Sequence, residues 1–276
     1  MSSYPPRWWG GYMLPTVRMR TAGERSAGTV RPVESGLADL RLRVRAAGPW
    51  YHTLDLGSGV VTEGMFDLRP YAERYGLPPD LSGLRVLDVG TFDGFWAFEM
   101  ERRGARVTSL DVDRTQQLDW PPRLRPSEDG ERGHTFAIAS QALGSDVERV
   151  GLSVYEATPK RLGGAFDLVF CGSVLIHLRD PMLALERMAG LCRGRFVLAE
   201  EHSRRLAPFR FARGAEFRGD SPWSTWWIPT ASTWETMVHT AGFEDVRRHG
   251  RFNLRFRDGR GGVPHVVIHA RGGATG

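Results

Sequence analysis

The chain has 276 residues, 41% hydrophobic and 25% charged, which suits one large globular domain or a core with an extension and excludes a disordered or fibrous protein. No apolar run approaches the roughly 20 residues that span a bilayer, and the opening MSSYPPRWWGGYMLPT lacks a charged-then-apolar leader pattern, so no membrane partner and a cytoplasmic location are expected. The net charge is +5, but a single lysine (Lys160) stands among 37 basic residues, and the arginines are scattered among acids instead of gathered in a phosphate-gripping stripe.

Residues 1–35 are rich in Pro, Gly, Arg and Ser and read as a loosely docked arm, with Trp8, Trp9 and Tyr12 as its sticky part. Over 36–48, Leu37, Leu40, Val44 and Ala47 recur at helical spacing. Residues 50–79, turn-rich and aromatic, read as a cap, so the chain divides into an arm and cap (1–80) and a core domain (81–276). Strand and helix then alternate, the pattern of a parallel sheet covered by helices. Strands are expected at 85–89, 106–110, 150–154, 166–171 and 195–199, and helices at 94–103, 136–143 and 181–191. Residues 204–230 form an aromatic, Arg-rich insertion. A helix at 232–241 and two strands, 246–256 and 263–270, follow; DGRGG between the strands signals a hairpin.

Cys171 and Cys192 lie 21 residues apart without a CxxC pair, so neither a disulfide framework nor a metal site is expected. The informative stretch is RVLDVGTFDGFWAFEMERRGARVTSLDVD, from Arg85 to Asp113. A strand ends at Asp88; Gly90 and Gly94 allow a tight turn and close approach of backbone to a ligand, and a helix follows. A second strand ends at Asp111, where a carboxylate can accept both ribose hydroxyls of an adenosine cofactor. The third glycine that packs a helix on a pyrophosphate is missing. Asp88 and Asp93 would repel a pyrophosphate but suit a cationic sulfonium and its amino-acid moiety. S-adenosylmethionine fits better than a dinucleotide.

VLDVGTFDGFWAFEMERRGA, the preceding WYHTLDLGSGVVTEGMFDLRP, and FDLVFCGSVLIHLRDPMLALERM together resemble the class I methyltransferase family that includes the tRNA wobble-uridine carboxymethyltransferases and their bacterial relatives, over roughly 50–201. The resemblance implies a Rossmann-like α/β fold: a mostly parallel seven-stranded sheet, a C-terminal antiparallel hairpin and an N-terminal cap. It implies Asp88, Gly90, Thr91 and Phe92 near the methionine part of S-adenosyl-L-methionine, whose product is S-adenosyl-L-homocysteine (SAH), with Tyr51 and Gly94 also at the cofactor. It puts Asp111 and Val112 at the ribose, Ser153 and Val154 near the adenine, and Cys171, Gly172 and Ser173 under the sulfonium. Ile176 departs from the tyrosine common at this position in relatives, and without a hydroxyl to hold a carboxylated cofactor the plain one is expected.

For chemistry, His177, after the fourth strand, is the first candidate base, and His52 the second; either could instead be a structural histidine. Glu200, Glu201 and His202 end the fifth strand, where alternation prevents all three from serving. Trp223, Trp226 and Trp227 in the insertion are candidate walls of an acceptor pocket, or a hydrophobic cluster under a loop. The expectation is methyl transfer to a small organic acceptor, at oxygen or nitrogen more than carbon. The alternatives are tRNA modification, or cofactor binding without catalysis in a regulatory protein. The oligomeric state is not legible.

Overall fold

The computed structural model describes residues 32–206, 208, 213–221 and 224–273. The expected arm up to residue 31 and Trp223 lie outside the described residues. Helix α1 (Pro32–Ala47) starts four residues ahead of the apolar repeat, since a proline in the first turn gives up an N–H that has no helical partner there.

The cap is two short parallel strands, β1 (Trp50–His52) and β2 (Gly64–Phe66), then a 3₁₀ segment, Arg69–Tyr75. Gly64 is required where it stands: a Cβ there would fall 2.1 Å from the His52 carbonyl carbon.

The core elements run β3 (Arg85–Val89), α2 (Phe95–Arg102), β4 (Arg106–Asp111), α3 (His134–Leu143), β5 (Glu148–Gly151), β6 (Phe166–Gly172), α4 (Pro181–Ala189) and β7 (Cys192–Glu201). The insertion contributes an antiparallel pair, β8 (Ala215–Phe217) and β9 (Trp227–Pro229). Helix α5 (Ala231–Thr240) leads into the hairpin of β10 (Glu244–Arg255) and β11 (Gly262–Arg271).

Among the described residues the main sheet has seven strands, in the order β10-β11-β7-β6-β3-β4-β5. Strands β3 to β7 pair in parallel; β11 runs antiparallel to β7 and to β10. The chain starts at β3 in the middle, works outward to β5, then returns past β3 to β6. The turning point falls between β3 and β6, where open α/β sheets hold ligands beyond the carboxyl ends of their strands.

Two apolar cores clothe the sheet. One packs α2 and the cap, through Trp50, Phe66, Tyr75 and Trp96, on the face that carries Phe170 and Val267. The other packs α4 and α5, through Leu185 and the fully buried Trp234, on the face that carries Phe196 and Ile268. Among the described residues no helix is long and apolar enough to cross a membrane.

Candidate active site

A cleft of about 1070 Å³ opens over the carboxyl ends of β3, β4, β5 and β6. That is the upper end of small-molecule sites, with room for a nucleoside-sized cofactor and a second molecule. The loop after β3 forms its floor. Gly90 (φ +77°) and Gly94 (φ +94°) occupy left-handed conformations, and a Cβ on Gly90 would meet Val174 Cγ2 at 2.1 Å. Phe92, also left-handed at φ +49°, is held by its N–H donating to Asp111 Oδ2 at 2.9 Å. The other oxygen, Oδ1, accepts the Val112 N–H at 2.8 Å. Two backbone bonds thus fix the Asp111 carboxylate at the cleft with lone pairs left over. Arg132 lies 3.9 Å from Asp111 and over the Phe92 ring.

Of the residues assigned to a cofactor from sequence, Tyr51, Gly90, Phe92, Asp111, Val112, Ser153, Val154, Gly172 and Ser173 line this one cleft. Asp88, Thr91, Gly94 and Cys171 do not: each stands behind the wall, and Asp88, Thr91 and Cys171 are 2% exposed or less. Burial pushes the Asp88 carboxyl up to about 7, and one of its oxygens has no hydrogen-bond partner among the described residues.

Asp93 needs a larger correction. It faces the protein interior, where Oδ2 accepts the N–H groups of Tyr51 (2.6 Å) and His52 (2.9 Å) and Oδ1 accepts the Thr135 hydroxyl (2.6 Å). It ties the cap to the core and does not address a sulfonium. Both residues it ties down, Tyr51 and His52, are walls of the cleft.

Of the candidate bases, His177 lines the cleft on the 3₁₀ turn Leu175–His177. His52 also lines it, but burial drives its pKa down to about 3, so it is a neutral ring with little appetite for a proton. Glu200 turns inward: its Oε1 accepts the N–H groups of Val174 (2.8 Å) and Leu175 (2.7 Å), capping the turn that presents His177. Glu201 turns to the cleft, as strand alternation requires, and its carboxyl is pushed up to about 7, chiefly by burial. His202 is buried and is not part of the lining.

The tryptophans do other work. Trp226, within the insertion, is buried, its indole N–H donating to the Asp119 carbonyl at 2.6 Å and its ring under Arg179. Trp227 donates to the Arg179 carbonyl. Neither reaches the cleft; they fasten the insertion to the loops after β4 and β6.

Sequence reasoning missed His265. On β11 it lines the cleft, 2% exposed, with Nδ1 against the Val263 carbonyl at 3.1 Å and Nε2 against the Ser173 hydroxyl at 3.0 Å. A carbonyl only accepts, so Nδ1 carries the proton and Ser173 donates to Nε2. Burial holds this ring neutral, its pKa lowered to about 4. Ser173 lies 92 residues away in the chain, and no local signal joins the two.

The residues present fit S-adenosylmethionine. Asp111 offers a fixed carboxylate for a ribose, with Val112, Leu152 and Val154 as apolar flanks for an adenine, and Gly90 and Gly172 leave the backbone open beside them.

The methyltransferase domain family matches residues 63–248. Among curated relatives, the chain is 28% identical to the tRNA U34 carboxymethyltransferase of Idiomarina loihiensis, over 60% of this chain and 47% of that protein. It is 33% identical to the ubiquinone biosynthesis O-methyltransferase of Paracidovorax citrulli, over 51% of this chain and 53% of that protein. The chain thus spans about half the length of these relatives. The fold matches the crystal structure of the N-terminal domain of EvdMO1 with SAH bound, with a TM-score of 0.56 at 16% identity over 86% of this chain and 97% of that one. It also matches the YcgJ protein of Bacillus subtilis, with a TM-score of 0.51 at 14% identity over 74% of this chain and all of that one. With its central sheet, its C-terminal hairpin and two thirds of its length inside the match, the chain belongs to the S-adenosylmethionine-dependent methyltransferase domain family.

Proposed function

We propose that the protein transfers a methyl group from S-adenosylmethionine to a small organic acceptor, at oxygen or nitrogen in preference to carbon. The observation that carries this reading is the bridge that the cap and the hairpin tip form along the cleft. Phe66 of the cap stacks on Phe256 of the hairpin tip with ring centres 5.0 Å apart. The Arg257 N–H donates to the Met65 carbonyl at 2.9 Å, and Arg257 pairs with Glu63 at 3.6 Å. A cleft bridged by the chain's own bonded segments suits a free small molecule better than a nucleotide in a folded RNA.

In this reading Asp111 accepts the ribose hydroxyls, and Val112, Leu152 and Val154 hold the adenine. Gly90, Phe92, Gly172 and Ser173 surround the methionine part, with Tyr51 and His52 closing over it. When bound, the cofactor supplies a methyl carbon activated by its sulfonium, so that holding an acceptor in line supplies much of the rate. Ile176 and Ile228 give the acceptor end apolar walls, and His177 gives it a polar contact. Since Ile176 has no hydroxyl to grip an added carboxylate, the plain cofactor is favoured over a carboxylated one.

The test is transfer of label from methyl-labelled S-adenosylmethionine, offered separately to bulk tRNA and to a small-metabolite extract. Label in the small-molecule fraction supports the reading. Label in tRNA moves the acceptor class to RNA, and label in neither fraction despite tight SAH binding favours a non-catalytic cofactor-binding protein.

A further inference from the structure

Resting on that reading, we propose that Glu201 is the base that takes the acceptor's proton, and that the acceptor therefore enters the cleft as a protonated hydroxyl or amine and not as a carboxylate. Three strands meet at this point. Glu201 is the last residue of β7, and its cross-strand partner on β11 is His265. Directly opposed residues of an antiparallel pair point to the same face, so both side chains stand in the cleft, as the lining confirms. His265 in turn binds Ser173, at the end of β6. The result is a polar strip, Ser173–His265–Glu201, across the carboxyl ends of the two parallel strands and the adjoining β11.

Within the strip the roles separate. Both nitrogens of His265 are already engaged, one with Val263 and the other with Ser173, so the ring fixes the serine hydroxyl and has no free lone pair for a proton. Ser173 holds a left-handed backbone at φ +55°, a strained conformation for a non-glycine residue at a functional edge. Its oxygen keeps lone pairs that can receive a donor on the acceptor. Glu200, one residue back, is spent on the 174–175 backbone. Glu201 is left to the cleft. Its charged and titratable surroundings are Arg218 and Glu216 from the insertion, Glu200 on its own strand, Tyr51 from the cap and His265 from β11. Burial holds it near neutrality, where a carboxylate is most useful as a general base.

For a hydroxyl or a neutral amine acceptor, the oxygen or nitrogen lone pair bonds the methyl carbon as the carbon–sulfur bond breaks with its electron pair going to sulfur, and a proton on that oxygen or nitrogen passes to a Glu201 oxygen. A carboxylate acceptor has no proton to give, so a base beside it would have nothing to take.

The test uses the full chain with methyl-labelled S-adenosylmethionine and a small-metabolite extract from pH 5.5 to 9, comparing wild type, Glu201→Gln and Glu201→Asp. Wild type should give an alkali-stable labelled product, with a rate that falls on the acid side as Glu201 is protonated. Glu201→Gln should slow transfer by about 100-fold or more and lose that acid limb, while SAH affinity by calorimetry stays within about twofold. Glu201→Asp should keep the limb at reduced rate. The proposal is overturned if Glu201→Gln retains the wild-type rate and profile, or if it loses SAH binding in step with rate. Release of the label as methanol in base, the mark of a methyl ester, overturns it as well. If wild type itself binds SAH and labels nothing, the methyl-transfer reading fails, and the assignment of Glu201 falls with it.

Discussion

Replacing Asp93 tests whether one buried carboxylate holds the cap in place. Its side chain is fully buried and makes three short hydrogen bonds, to two cap N–H groups and the Thr135 hydroxyl. Alanine would strand the Tyr51 and His52 N–H groups, at about 1–3 kcal/mol each for an unsatisfied buried donor. Against this, burial raises the pKa of Asp93, so removing the charge recovers part of its desolvation cost. A net loss of about 3 kcal/mol follows, which for a domain of this size lowers Tm by roughly 6–12 °C. Asparagine keeps an oxygen for the two N–H groups and should cost about half as much. Urea unfolding followed by tryptophan fluorescence gives the stabilities, and calorimetry with SAH reports whether Tyr51 and His52 still close the cleft. In a double-mutant cycle, Asp93→Ala and Thr135→Val should couple by about 1 kcal/mol or more. A stability within about 0.5 kcal/mol of wild type for Asp93→Ala, with full SAH affinity, would refute the clamp.

The remaining predictions concern protons and backbone. Glu200 has a folded pKa raised to about 8, so its contribution to stability is fully present below the unfolded carboxylate range, near 4, and is lost as pH rises through about 8. Glu200→Gln should therefore gain Tm over wild type progressively from about pH 5 to about pH 8 and level off above, and a difference that stays flat with pH counts against this. His52 shifts the other way, to about 3, so its neutral burial stabilises the fold above the unfolded value near 6.5 and that gain is lost as pH falls toward 3. Thermal melts of His52→Gln should show a shallower loss between pH 6.5 and 4; an unchanged acid slope would argue that the ring is not buried neutral. Gly90→Ala puts a side chain into a left-handed turn and onto Val174, and should lower Tm by several degrees, with a melt at the wild-type temperature as the contrary result.

The main strands were legible because central parallel strands are mostly apolar, as 85–89 and 166–171 are apart from Arg85, Asp88 and Asp167. The third strand was misplaced, expected at 150–154 and found at Glu148–Gly151. As the edge of the sheet, half of it open to solvent, it needs no apolar run to mark its bounds. The turn glycines and Asp111 were legible because their spacing is local. Which way an acid faces was not: Asp88 and Asp93 both border the same loop, yet one stands behind the wall and the other clamps the cap. The Ser173–His265 pair was illegible for a different reason, since it forms only when β11 inserts beside β7. Trp226 and Trp227 show the limit of composition: a cluster of large aromatic rings fits a pocket wall and a buried anchor equally well, and here backbone carbonyls at 119 and 179 decide for the anchor.

The cofactor's place in the cleft depends most directly on the ribose contact at Asp111. Calorimetry of SAH against wild type and Asp111→Ala, with Tm measured in parallel, tests it. Wild type should bind one equivalent, and the variant should bind about 100-fold more weakly, the loss of roughly two charged hydrogen bonds of about 1.5 kcal/mol each, while its Tm falls by only a few degrees. Equal affinity in the two proteins, or no binding by wild type, would contradict the placement of the cofactor in this cleft.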